Sequence, residues 1–196
     1  RSVAFGYSSS AKGENSVVFG SEFKFYKNGR LKRQNTNLAE GARSVVMGLA
    51  NYTGVRATGG VAIGAFNRAT GEGSMAIGAG YYDEENNEIQ YNKAIGHRSL
   101  AVGTNNNASG NWSTSLGIRN KSNKRCSSAV GIENTADGEN SSAVGAANTA
   151  SGKNSSSVGF RNSAEGKNSN VFGYKNKATA ENASIVGVEN TNSGNF

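Results

Sequence analysis

Catalysis and metal capture need side chains that ionise, attack or ligate, and this chain is short of them. It holds one histidine, His97, and one cysteine, Cys126. A nucleophilic triad needs a histidine beside its serine or thiol, and a protein-held metal needs several ligands converging on one point. Neither assembles around His97 within one chain; an ion site shared by three copies of His97 in a trimer is the alternative. A solvated His97 is the plainer expectation. Cys126 has no base next to it in sequence, which predicts a free thiol in a turn rather than a nucleophile, and a single cysteine excludes an intrachain disulfide. No enzyme activity and no cofactor is expected.

Two segments have the chemistry of a binding surface instead. In the first, Phe23, Lys24, Phe25, Tyr26, Lys27, Arg30, Lys32 and Arg33 interleave aromatic and basic residues. Asn28-Gly29 between alternating residues is a strong hairpin signal. This is either a docking patch for a protein or sulfated glycan, or a solvated hairpin whose aromatics lie against the roll or a neighbouring chain, clamping a trimer, and the second is the plainer expectation. The second segment holds Tyr81, Tyr82, Asp83, Glu84, Glu85, Glu88 and Tyr91. Its spacing is not that of a calcium loop, so a solvated acidic loop is expected, with pairing to the basic hairpin of another chain as an alternative. A net charge of +7 favours anionic partners. The basic residues are nevertheless scattered, no nucleic-acid module is present, and nucleic acid is not an expected partner.

The elements that must carry these segments are set by a repeat. Gly103, Gly117, Gly131, Gly145, Gly159, Gly173 and Gly187 stand 14 residues apart, each closing a short segment such as SSAVG or SNVFG. A fixed short period marks a solenoid, in which one coil cannot bury its apolar face alone. Each coil reads as two short strands and two tight turns, an all-β parallel roll. Because side chains alternate across a strand, the residue before each glycine always faces the same way. That row, including Phe19, Ile63, Ile77, Val102, Val130, Val144, Val158, Phe172 and Val186, is apolar throughout and is taken as structural core. The opposite row carries small residues such as Ala62, Ala76, Ala129 and Ala143, suited to a narrow interior. Two apolar faces on so thin a coil imply self-association. Three residues after most glycines comes asparagine, as at Asn51, Asn67, Asn120, Asn134, Asn148 and Asn162, which predicts a left-handed corner.

The whole chain, 1–196, is read as one repeat domain. Two long gaps, 28 residues between Gly20 and Gly48 and 25 between Gly78 and Gly103, place insertions at about 21–38 and 79–93. Both binding candidates fall inside them, where insertions of a repeat protein form surface loops. No segment is long and apolar enough to cross a bilayer as a helix, and the opening residues lack the layout of a signal peptide. The sequence opens inside a coil, so a larger parent carrying any export signal or anchor is expected.

Ser16-Val17-Val18-Phe19-Gly20, Ser74-Met75-Ala76-Ile77-Gly78 and Asn140-Ser141-Ser142-Ala143-Val144-Gly145, at this spacing, resemble the head repeats of trimeric autotransporter adhesins, the YadA-like heads. The resemblance covers nearly everything outside the insertions. It implies a left-handed parallel β-roll, a homotrimeric head and display on the Gram-negative outer membrane, with stalk and membrane anchor in parts of the parent not present here. It also implies a virulence role in host receptor binding: collagen, fibronectin, laminin or carcinoembryonic-antigen-related (CEACAM) cell adhesion molecules as partners. Departures include Lys124 and Ala180 in place of the second turn glycine, and polar Thr114, Ser128, Ser142 and Ser156 at the start of later strands. Two alternatives fit less well. A trimeric left-handed β-helix acyltransferase needs a period near 18, and an ice-binding solenoid needs a threonine array that Lys121, Ser163 and Lys177 interrupt.

Overall fold

The structure, a computed structural model, describes residues 1–27 and 30–194, with no helix among them. The Asn28-Gly29 turn and the side chains of Lys27, Lys32 and Arg33 lie outside the described residues. The chain divides into two compact units, Arg1–Asn105 and Asn106–Phe196, and both are parallel β-solenoids.

In the first unit the longer strands, Val3–Phe5, Val17–Ser21, Val45–Leu49, Val61–Ala65, Met75–Ala79 and Leu100–Thr104, stack in that order as one parallel sheet. The short strands Ser10–Ala11, Leu38–Ala39, Tyr52–Thr53, Asn67–Ala69 and Asn92–Ala94 form the facing sheet. The second unit repeats this plan. Its long strands run from Thr114–Ile118 to Ser184–Val188 and its short strands from Asn107–Ala108 to Thr191–Asn192. Pairing is in register coil to coil, so Val130 meets Val144, which meets Val158, and Gly131, Gly145 and Gly159 fall in one column.

The interior is one side chain thick on each side. Val18, Val46, Ala62, Ala76 and Ala101 fill it from the long strands of the first unit, and Ala39, Ala69 and Ala94 from the short strands, all fully buried. Ala129, Ala136, Ala143 and Ala150 form the same packing in the second unit. In one coil both sides are polar, and the buried Ser115 and Ser122 hydroxyls share a hydrogen bond of 2.7 Å.

The row taken as structural core is therefore corrected for the single chain. Phe19, Ile63, Ile77, Val102, Val130, Val144, Val158, Phe172 and Val186 lie on the outer face of the long strands, none of them buried, with Phe19 and Phe172 each 42% exposed and Val186 82%. The reason is volume. With two sheets facing across one layer of side chains, the interior takes mostly alanine, serine and valine, with Ile185 in the last long strand as the largest, and the larger row points away.

The corners are also corrected. In the second unit left-handed backbone falls at the second residue after each long-strand glycine (Arg119, Glu133, Ala147, Arg161), and again before each strand serine (Asn140, Asn154, Asn168 and, with φ 55°, Cys126). The asparagine three after the glycine is instead buried from Asn51 to Asn176, and only Asn190 of the last coil is exposed. Asn148 donates its backbone N–H to Asn134 Oδ1 at 3.0 Å and its Nδ2 to the carbonyls of Val144 at 3.0 Å and Gly159 at 2.7 Å. Its own Oδ1 accepts from the Asn162 N–H and Nδ2 at 3.0 and 3.1 Å. Repetition from coil to coil makes an amide ladder, the polar counterpart of the alanine column. A shorter ladder of the same design joins Asn51 and Asn67 in the first unit.

One irregularity escaped the spacing argument. The interval from Gly48 to Gly64 is 16 residues, not 14. The two extra residues are taken up near Val55 and Gly59, where Val55 is 70% exposed and Gly59 has φ +70°.

Candidate functional site

Both insertions fold as antiparallel hairpins that leave the solenoid where a long strand ends. Phe23–Lys27 pairs with Arg30–Asn35, with a bulge between Phe25 and Tyr26. Tyr81–Asp83 pairs with Glu88–Gln90. The second turn is held by Asp83, whose carboxylate accepts from the N–H groups of Glu85 and Asn86 at 3.1 and 3.2 Å and from Asn86 Nδ2 at 2.8 Å. These bonds, led by the Asn86 side chain, hold the Asp83 carboxyl below its usual range. An acid spent on its own turn has little left for a cation.

The two hairpins pack on each other inside one chain. Phe23 meets the Phe66 ring edge-on at 4.9 Å and the Tyr82 ring at 5.5 Å, and Phe25 lies 4.5 Å from Tyr82. Below them Ala50, Phe66 and Ile89 are buried, with Leu49 and Tyr91 packed against the group. Of the two placements expected for the aromatics, they take the one against the chain's own roll, and hydrophobic contact, rather than opposite charge, joins the insertions within that chain.

The charged candidates are dispersed. Lys24 pairs with Glu22 and lies over the Tyr7 ring at 5.0 Å. Glu22 also accepts from Gln34 Nε2 at 2.6 Å. Lys24 above all, with Gln34 and Ser8 adding, holds the Glu22 carboxyl below its usual range against the opposing effect of burial. Tyr26, Arg30, Tyr81, Glu84 and Glu85 are exposed on the hairpin surfaces. His97, expected in solvent, is half-buried with Nδ1 3.5 Å from Glu72 Oε2. Cys126 is exposed in its turn.

One predicted residue, Tyr91, does join a constellation, and its partners went unnoticed in sequence. Leu38, Tyr52 and Arg68 occupy one outward column of the short-strand sheet on three successive coils. With Gln34 and Asn35 from the first hairpin and Tyr91 after the second, they line a cleft of about 450 Å3. The Arg68 guanidinium sits between two rings, 5.4 Å from the centre of Tyr52 and 5.6 Å from that of Tyr91. Asn35 Nδ2 donates to the Tyr91 hydroxyl at 2.8 Å, and the Tyr52 hydroxyl donates to Glu40 Oε2 at 2.8 Å. Burial, then that carboxylate, pushes the Tyr52 phenol up and keeps it neutral. The signal in sequence was Tyr52 and Arg68 falling at one position of successive coils, with Tyr91 delivered beside them by the second hairpin, legible only with the coil register in hand.

The family model of the YadA head domain repeat matches residues 1–22, 57–80, 94–119, 127–148 and 150–169, more than half of the chain. The chain belongs to the YadA head family. Such heads are adhesin heads of trimeric autotransporters. No curated protein matches the chain. The matched YadA repeats stop at residue 22 and resume at 57, then stop at 80 and resume at 94. Both hairpins fall in those gaps, so membership accounts for the solenoid and leaves the hairpins' role open.

Proposed function

We propose that this YadA-type head works as a homotrimer on the Gram-negative cell surface, attached by other parts of its parent protein, and binds host extracellular matrix or a cell-surface receptor multivalently. Collagen, fibronectin, laminin and CEACAM-type molecules are the receptor classes to screen. The supporting observation is the outward row of apolar residues on the long strands. Phe5, Phe19, Met47, Phe172 and Val186 are each more than 40% exposed on a chain that is otherwise strongly polar. Covering one half-exposed aliphatic side chain contributes about 1 kcal/mol, and the row recurs on every coil, so three chains sharing this face gain far more than one coil can supply alone. Three copies of a weak site then act together at a surface.

Light scattering of the purified chain across a concentration series, with solid-phase binding to matrix proteins, tests this reading. A stable trimer that attaches supports it. A folded monomer without attachment overturns it.

A further inference from the structure

The Arg68 cleft has the features of a ligand site rather than of a packing seam. Among the described residues no carboxylate pairs with Arg68, whereas basic residues of the second unit pair across coils, as Arg119 does with Glu133 at 2.7 Å and Lys167 with Glu181 at 2.8 Å. The acid bonded to the flanking Tyr52 is already engaged: Glu40 accepts from Tyr52 and lies 3.6 Å from Lys12. The two flanking rings hold the guanidinium in place, so a planar anion meets a fork of donors whose rotamer cost is already met. Since Asn35 donates to the Tyr91 oxygen, the tyrosine's own proton is left to point elsewhere. A volume of about 450 Å3 is in the range of small-ligand sites. The cleft opens on the short-strand face, opposite the apolar row, so an assembly through that row leaves it open.

We propose that this cleft binds an acidic saccharide, a sugar unit bearing a carboxylate or sulfate group. The anion takes the Arg68 guanidinium as a bidentate charge-assisted partner. The C–H face of the sugar ring packs on a tyrosine ring, and its hydroxyls exchange hydrogen bonds with Tyr91, Asn35 and Gln34. An acidic peptide is disfavoured because the floor strands Leu38–Ala39, Tyr52–Thr53 and Asn67–Ala69 are paired on both sides and offer no free edge for strand addition. The inference rests on the reading of the chain as an adhesive head and names what one part of that head holds.

The test is calorimetric or ligand-observed NMR titration of the full chain with sialyllactose, a sulfated heparin disaccharide, neutral lactose and triglutamate. Both acidic sugars, or one of them, are expected to bind about tenfold or more tightly than lactose, with the preferred one identifying the anion as carboxylate or sulfate. Arg68→Ala is expected to abolish that preference, and Tyr91→Phe to weaken binding less, with thermal unfolding unchanged in both. Acidic sugars no tighter than lactose, full binding by Arg68→Ala, or triglutamate binding as tightly would each overturn the proposal. Attachment to matrix proteins, measured on the same samples, separates the two readings. Attachment without sugar binding rejects the cleft alone, and sugar binding without attachment keeps the cleft and rejects the matrix-binding head.

Discussion

At the residue scale, asparagine carries this fold. The sequence shows an asparagine three positions after the glycine, and its tolerance for left-handed backbone suggested a corner. The residue one place earlier takes the left-handed conformation instead, whether it is Arg119, Glu133 or Ala147. That tolerance of side-chain type was the clue: a corner in this coil accepts any residue, while a ladder needs a group that donates and accepts at once. Asn148→Ala strands the acceptor carbonyls of Val144 and Gly159 and the Asn162 donors. A loss of about 3 kcal/mol is expected in denaturant unfolding followed by circular dichroism, and Asn148→Asp should cost more because it buries a charge without a partner. A glycine pair offers a second contrast. Gly145 has φ +116° and a Cβ there would sit 2.1 Å from the Gly159 carbonyl oxygen, whereas Gly59, at φ +70°, has open space. Gly145→Ala is expected to lose roughly 3 kcal/mol, while Gly59→Asn should leave the melting temperature nearly unchanged.

At the scale of elements, the gaps in the glycine spacing located both hairpins, and alternating residues around Asn28-Gly29 suggested the first. What no local pattern carries is that hairpins about 60 positions apart in sequence share one aromatic cluster, since contact between inserts depends on where the coil register delivers them. Deleting residues 81–91 is therefore expected to loosen the first hairpin too, seen as faster amide exchange at 23–27. If exchange there stays protected, the Phe23, Phe25 and Tyr82 contacts are not what holds it. The first hairpin should also respond to acid. Glu22 has its carboxyl held below the ordinary 4.5, mainly by Lys24. A carboxyl with a depressed folded value contributes stability that is complete above its unfolded value and disappears as pH falls through the folded one. Hairpin protection, the exchange rate divided into its pH-dependent intrinsic rate, is thus expected to be flat from neutral pH down to about 4.5 and to fall below it, and Glu22→Gln should remove that step.

At the scale of the whole molecule, the solenoid and its outward apolar row were legible because one 14-residue register repeats through both units, but which face is inside was not, since alanine and valine suit either. The interior volume decides it, and the row turned outward gives the assembly question its physical content. Two positions before that row, the outward residues are Val17, Val45, Val61, Met75 and Leu100 in the first unit, and Thr114, Ser128, Ser142, Ser156 and Asn170 in the second. A shared face built on the first set removes more apolar surface from water per coil than one built on the second. The second unit carries coil-to-coil ion pairs at its surface, such as Arg119 with Glu133 and Lys175 with Glu189, each exposed and screened by solvent, so they offset little of that difference. The two units should therefore contribute unequally to the proposed trimer. Ile77→Asp is expected to shift the light-scattering mass toward monomer at concentrations where Val144→Asp still gives the trimer. If the two variants dissociate alike, the polar column contributes as much to association as the apolar one, and the unequal-contribution argument fails.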